Sequence, residues 1–437
     1  MILLVTPNIK GRCYEATNEF SSIHPSMDAA ILHSYFTNVK KQQCKMINME
    51  VSRITVEELI KFINYEKIDE VWIICSGSNP SASTMTMPAS TLLSARLKVN
   101  VKSKIVMYGG HPSSLPELTK QQSGCDEVIV GDGIDCDAKD IPMVDWALLS
   151  PNKYKAHNWH CFGDLDNRNN YAVVWTSLGC PYRCKFCSVA NMYKEKPFSQ
   201  RQRRIEDVVD EIEVLNKSFG VKNIRILDEL FTYNLERVER FCDLLESKNL
   251  DGLNMWCYSR VDTINLEILK KLKKVGFNWI AYGFESCEQE TLDLMGKKTK
   301  VKDFDYAITS AKSAGINIIA DVMAGFPDDN YLSLEKMYKF LETYMFEMIN
   351  LYPLFHLPGT ELYDGSNTDW NTYQLYGSSC KPASTKYLSS SEVLRWRDMA
   401  FNRYMTSPAY LSMIGNKFGQ GTKEHIVRMM SKNIRVK

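Results

Sequence analysis

The stretch SLGCPYRCKFCSV, residues 177–189, places Cys180, Cys184 and Cys187 in a Cys-x3-Cys-x2-Cys spacing. Three thiols this close together read as a ligand set. A structural zinc site usually joins two paired motifs distant in sequence. The chain has no second Cys-x2-Cys and no His-x3-His pair. A disulfide is disfavoured in a reducing compartment. A [4Fe–4S] cluster remains, and such clusters usually take four cysteines. With three, one iron keeps a place open for a substrate or cofactor. Phe186, just before the last cysteine, would cover one side of the site, and Gly179 and Pro181 let the loop wrap tightly.

The loop follows a short apolar run, AVVWTS (172–177), the first of six. The others are NIRIL (223–227), NMWCYS (254–259), NWIAYG (278–283), INIIADVM (316–323) and MINLYPLF (348–355). Between them lie helical stripes, such as Val208, Ile212, Leu215, Phe219, then Leu235, Val238, Phe241, Leu245, then Leu266, Leu269, Leu272. Six β/α units fall short of the eight of a closed barrel, so residues 171–358 read as a partial (β/α)6 barrel. Barrel chemistry gathers at the C-terminal ends of strands, which is where the three cysteines fall.

Upstream, ILLVT (2–6), KMINM (45–49), VWIIC (71–75), KIVMYGG (104–110) and EVIVGDG (127–133) alternate with helix-period segments. That pattern predicts a doubly wound parallel sheet over residues 1–142, with its ligand beyond the C-terminal strand ends. Residues 134 to about 170 are irregular and rich in Asp, Asn, Pro and His, and 143–170 read as a linker draped over the surface. Residues 359–437 read as a mostly helical extension rich in aromatics that closes over the barrel. The fold class is α/β throughout.

The cysteine spacing on the first loop of a partial barrel resembles the radical S-adenosylmethionine (SAM) superfamily. The resemblance implies that the open iron chelates SAM and that an electron from the cluster cleaves it to a 5′-deoxyadenosyl radical. Strand ends match position by position: Asp228 and Glu229 after the second strand, Ser259 and Arg260 after the third, Gly283, Glu285 and Ser286 after the fourth, and Gly325 to Pro327 after the fifth. By resemblance these groups and Phe186 hold SAM. The other reading of Glu229 or Arg260 is a salt bridge closing the barrel mouth.

The N-terminal domain resembles the cobalamin-binding class of that superfamily. Ser76, Gly109, Gly110 and His111 (in GGHPS), and Gly131 and Asp132 (in VGDG), are the matching positions, and HPSMDAAIL begins the first long helix. The chain lacks the Asp-x-His-x2-Gly pattern, so cobalamin is expected base-off with no histidine below the cobalt. Two departures stand out. Gly131-Asp132-Gly133 replaces the family's Gly-Glu-Gly, and SNPSAST is long and polar. A retained scaffold that binds no corrin is the competing interpretation. Cys13, Cys44 and Cys75 raise a further alternative, a methylthiotransferase with a second cluster.

Composition bounds the rest. The 437 residues are 44% hydrophobic and 24% charged, with a net charge of +1. No basic excess marks a nucleic-acid binder, and KEKPFSQRQRR (194–204) reads first as a solvated loop. No signal peptide or membrane span is read, so the expected compartment is the cytoplasm, with most of the 13 cysteines as free thiols. The resemblance implies a cobalamin-dependent radical SAM C-methyltransferase acting on an unactivated carbon, with a sugar-like or natural-product substrate expected. Flavodoxin or ferredoxin would supply electrons. The alternatives are a radical dehydratase, epimerase or rearrangement enzyme without methyl transfer, and a non-catalytic cluster carrier. No residue is assigned as proton or hydrogen donor.

Overall fold

A computed structural model describes residues 1–9, 19–77, 82–193, 197–375 and 378–432. Cys13, and parts of the SNPSAST and KEKPFSQRQRR segments, lie outside the described residues. The N-terminal sheet is parallel and five-stranded: β1 (Ile2–Thr6), β2 (Cys44–Asn48), β3 (Glu70–Ile74), β4 (Lys104–Tyr108) and β5 (Glu127–Ile129). Its order is β2-β1-β3-β4-β5, so the chain reverses direction across the sheet between β1 and β3.

The central strands β1, β3 and β4 are apolar on both sides because both faces are covered, whereas the edge strands β2 and β5 are only half-buried. Leu3, Val5, Val71, Ile73, Ile105 and Met107 pack under helices α2 (Val56–Glu66) and α3 (Ala82–Lys98). The alternate residues Leu4, Trp72, Ile74, Val106 and Tyr108 pack under α1 (Met27–Ser34) and merge with the core of the second sheet.

That second sheet is a six-stranded parallel partial barrel, β6 (Tyr171–Val174), β9 (Asn223–Ile226), β10 (Asn254–Ser259), β11 (Phe277–Glu285), β12 (Asn317–Ala324) and β13 (Met348–Pro353), joined in chain order. Its crossover helices bury the stripes read from sequence. Examples are α4 (Ile205–Phe219) through Val208, Ile212 and Leu215, and α5 (Leu235–Ser247) through Val238, Phe241 and Leu245. One element was not foreseen. The loop after β6 carries β7 (Ser177–Leu178), which pairs antiparallel with β8 (Arg201–Gln202).

The connector 143–170 corrects the surface-linker expectation. Trp146, Tyr154, Trp159 and Phe162 are buried. Trp159 meets Trp256 and Trp279 edge-on at 5.0 and 5.4 Å. His160 Nε2 donates to the carbonyl of Asn254, at the start of β10, at 2.8 Å. A six-stranded barrel leaves its N-terminal end open, and these rings fill it. Four large apolar side chains outweigh a composition that looks solvated.

After β13 the chain crosses back over the N-terminal domain, where Gln374 Nε2 donates to the Met85 carbonyl at 2.7 Å. Helices α6 (Ser390–Met405), α7 (Pro408–Phe418) and α8 (Gln420–Ser431) then pack beside the barrel. Tyr404 and Tyr410 donate to the Phe346 and Glu347 carbonyls at 2.8 and 3.0 Å. Among the described residues no helix is long and apolar enough to cross a membrane.

Candidate functional site

The cysteine loop leaves β7 through Gly179, at φ +91°, where a Cβ would lie 2.4 Å from the Ser199 carbonyl oxygen. Only glycine fits there. The Gly179 N–H donates to Glu229 Oε2 at 3.0 Å, and Tyr193 donates to Glu229 Oε1 at 3.2 Å. Glu229 thus ties the end of β9 to the start of the loop. The Cys187 N–H donates to the Cys184 carbonyl and the Lys185 N–H to the Met295 carbonyl, both at 3.0 Å. These bonds fix the loop's tip. Phe186 packs edge-on against Phe326 at 5.8 Å.

Desolvation pushes the Cys180 thiol up to about 11 and raises that of Cys184, whereas Cys187 is exposed on the cavity side. Metal loading must therefore displace protons from all three. Among the described residues no three His, Cys, Asp or Glu side chains converge closely enough for a single metal ion. Three soft thiol donors spread over one loop suit a multi-iron cluster, each iron taking one thiolate, better than mononuclear zinc.

Six of the strand-end residues, Phe186, Glu229, Ser259, Arg260, Gly283 and Glu285, line one cavity of about 440 Å³. Arg260 makes two bonds to Asp262, at 2.9 and 2.8 Å, and one to the Lys297 carbonyl at 2.8 Å. Its guanidinium carbon lies 3.7 Å from the centre of the Tyr182 ring. Glu285 stands at φ +64°, beyond a register shift in the β11–β12 pairing. Its carboxylate folds back to Lys297 Nζ at 2.8 Å. A Cβ at Gly283 would meet that carboxylate at 2.5 Å. The Ser259 hydroxyl shares a 2.7 Å bond with Thr232.

Asp228, Ser286 and Gly325 to Pro327, expected beside them, do not line the cavity. Asp228 is buried and accepts from the Thr176 N–H and hydroxyl at 2.7 and 2.6 Å and from the Ser177 hydroxyl at 2.5 Å. It braces the backbone before the cysteine loop. Ser286 Oγ is buried and accepts from the Glu288 N–H at 3.1 Å.

On the opposite wall, Ser76 and Gly110 line the same cavity, and Ser76 hydrogen-bonds Asp28. The other four corrin-side positions turn elsewhere. Gly109, at φ +139°, is needed because a Cβ would fall 2.2 Å from the Cys75 carbonyl. His111 Nδ1 lies 3.1 Å from Thr84 Oγ1, its ring is edge-on to Trp370 at 4.4 Å, and burial drives its pKa to about 3. The Gly131 N–H donates to Ser113 Oγ at 2.9 Å, and Asp132 forms an ion pair with Arg201 of β8.

The second-cluster alternative fails on position. Cys44 begins β2, level with Ile2 and Glu70, whereas Cys75 follows the end of β3, beyond Ile74. Roughly 16 Å of strand separates those levels.

Three charged barrel residues that line the cavity escaped the sequence reading: Lys297, Asp321 and Arg225. Lys297 sits in GKKTK, which looks like a solvated loop. Asp321 and Arg225 carried a usable signal, a charge inside an otherwise apolar strand. Asp321 accepts from Asn350 Nδ2 at 2.7 Å, and burial pushes its carboxyl up to about 7.

Comparison with known proteins places these features. Residues 176–341 match the radical SAM superfamily. An uncharacterized methyltransferase of Pyrococcus horikoshii is 24% identical over 419 residues, 85% of this chain and 86% of that one. An anaerobic magnesium-protoporphyrin IX monomethyl ester cyclase of Rubrivivax gelatinosus is 28% identical over 208 residues, 47% of this chain but 35% of the cyclase. The fold is that of the radical SAM methyltransferase TsrM of Kitasatospora setae, solved with cobalamin and a [4Fe–4S] cluster. The TM-score is 0.68 at 12% identity, covering 99% of this chain and 98% of that one. The cobalamin-dependent SAM radical enzyme OxsB superposes with a TM-score of 0.65 at 14% identity, covering 99% of this chain and 78% of OxsB.

Proposed function

We propose that this radical SAM enzyme is a cobalamin-dependent methyltransferase acting on carbon in a small molecule. One observation carries the reading: the C-terminal ends of both parallel sheets open onto the same cavity. Thr6, Asn48, Ser76 and Gly110 line it from the N-terminal domain, and Glu229, Arg260, Glu285 and Met323 from the barrel. A group seated on the first sheet therefore faces one seated on the second across a space of substrate size.

Cys180, Cys184 and Cys187 would hold the cluster. Arg260, Lys297 and Glu285 offer charge to the amino-acid and ribose ends of SAM. Ser76 and Gly110 would bear on the corrin. The bound cofactors supply the hard chemistry, a hydrogen-abstracting radical from SAM and a methyl group from the corrin. The chain's own residues position them. Phe186 and Phe326 cover the cysteine loop, and the aromatic connector closes the far end of the barrel against water.

A second reading, radical rearrangement without methyl transfer, draws support from Gly109, His111 and Asp132, which are engaged in internal contacts. Anaerobic reconstitution with cobalamin separates the two. We expect corrin retained by the protein, and S-adenosylhomocysteine formed together with 5′-deoxyadenosine. 5′-Deoxyadenosine alone, with no corrin retained, would leave the second reading. Replacing any one of the three cysteines by alanine is expected to abolish both products and the cluster absorbance.

A further inference from the structure

Five guanidinium groups are buried among the described residues: Arg168, Arg203, Arg225, Arg260 and Arg397. Four have partners. Arg168 donates to the carbonyls of Ala156, Phe20 and Ser21. Arg203 pairs with Glu211 at 2.6 Å, Arg260 with Asp262 at 2.8 Å and Arg397 with Asp398 at 2.5 Å. Arg225, 2% exposed, has no carboxylate and no hydrogen-bond acceptor among the described residues, and its Nε is buried without a partner. Arginine cannot shed its proton to relieve this. Leaving such a charge uncompensated costs several kcal/mol in general.

The placement gives the charge a use. Arg225 lies on β9, opposite Val173 and Trp256, inside the barrel. It forms part of the wall between the 440 Å³ cavity and a smaller one of about 170 Å³. Its guanidinium lies 4.8 Å from the Trp256 ring centre and 5.3 Å from that of Tyr258. Asp321, whose carboxyl feels the Arg225 charge across the cavity, is held by Asn350 and pushed up to about 7 by burial. At and below neutral pH it does not serve as a full counter-ion. His157, also within that field, is driven to about 3 and stays neutral.

We propose that Arg225 is the anion subsite of the substrate cavity and that the substrate carries a carboxylate. This rests on the reading of the cavity as the substrate pocket of a radical SAM enzyme. A guanidinium set against aromatic rings presents its N–H edge, the geometry that a planar carboxylate meets with two bonds. One buried positive charge is balanced by a monoanion. A phosphate dianion would leave excess negative charge beside Glu285, whose carboxylate is already paired with Lys297.

The test is thermal unfolding of the anaerobically reconstituted protein with acetate, benzoate, benzamide or inorganic phosphate, in wild type and Arg225→Met. We expect benzoate or acetate to raise the wild-type Tm by about 1–2 °C at ten times its Kd, with no response to benzamide or phosphate. The carboxylate response disappears in Arg225→Met, whose ligand-free Tm equals or exceeds the wild-type value. A purely structural arginine would instead lower it. No carboxylate response in wild type, an equal response in Arg225→Met, or a response to phosphate in place of carboxylate overturns the proposal. SAM cleavage by the wild-type protein is assayed in parallel. Its absence refutes the radical reading, whereas cleavage without a carboxylate response refutes the anion subsite alone.

Discussion

Gly179 is a single position on which the cysteine loop depends. Its positive φ and the 2.4 Å approach of the Ser199 carbonyl both exclude a side chain. We expect Gly179→Ala to cost about 1–3 kcal/mol and to lower the iron bound per chain, read by metal analysis after reconstitution. Asp321 makes a second prediction. Its carboxyl is raised to about 7 in the folded chain, whereas an unfolded aspartate titrates near 3.9. The folded state then holds the extra proton, so this group makes stability fall as pH rises from about 4 to 7 and contributes no further slope above. Asp321→Asn removes that slope. Its stability advantage over wild type should grow by roughly 2–4 kcal/mol between pH 4 and pH 8, measured by urea unfolding across that range. The three cysteines were legible because ligand spacing is local in sequence. Lys297 was not, because its role arises only when the loop after β11 folds its amine onto Glu285.

Elements were legible where burial is two-sided. All eleven strands of the two large sheets follow from short apolar runs, and most are covered on both faces, the edge strands β2 and β5 being only half-buried. The connector misled because polar residues outnumber its buried rings. The ribbon β7–β8 has only two residues per strand and no periodicity to read. A buried network ties these two unforeseen elements together. Trp146 of the connector donates to Glu211 at 2.7 Å, Arg203 pairs with Glu211 at 2.6 Å, and the Arg203 N–H donates to the Thr176 carbonyl at 2.9 Å. Glu211→Leu strands the Arg203 charge and should destabilise by about 3–5 kcal/mol. Adding Arg203→Met should recover a large part of that loss in a double-mutant cycle followed by urea unfolding.

At the scale of the molecule the N-terminal sheet is not self-sufficient. One face shares a core with the connector and barrel, and the other is covered in part by Phe355, Trp370 and Tyr373 from beyond the barrel. Residues 1–142 expressed alone should therefore bind a hydrophobic dye and show no cooperative thermal transition. The two-layer architecture was legible from the repeated strand–helix alternation. Its mutual dependence was not, since Trp370 and Tyr373 reach α3 and His111 across the whole intervening chain.

The position of that late-covering segment also has a consequence in time. The connector leaves the ribosome just after the first sheet and can cover one of its faces at once. Trp370 and Tyr373 come only after residues 143–369 have been made, about 20 s later at roughly 10 residues per second. During that interval the α2–α3 side of a nearly finished sheet waits without its lid. The nascent chain is then at its most adhesive, and a chaperone that recognises exposed apolar surface has its opening before the barrel is complete.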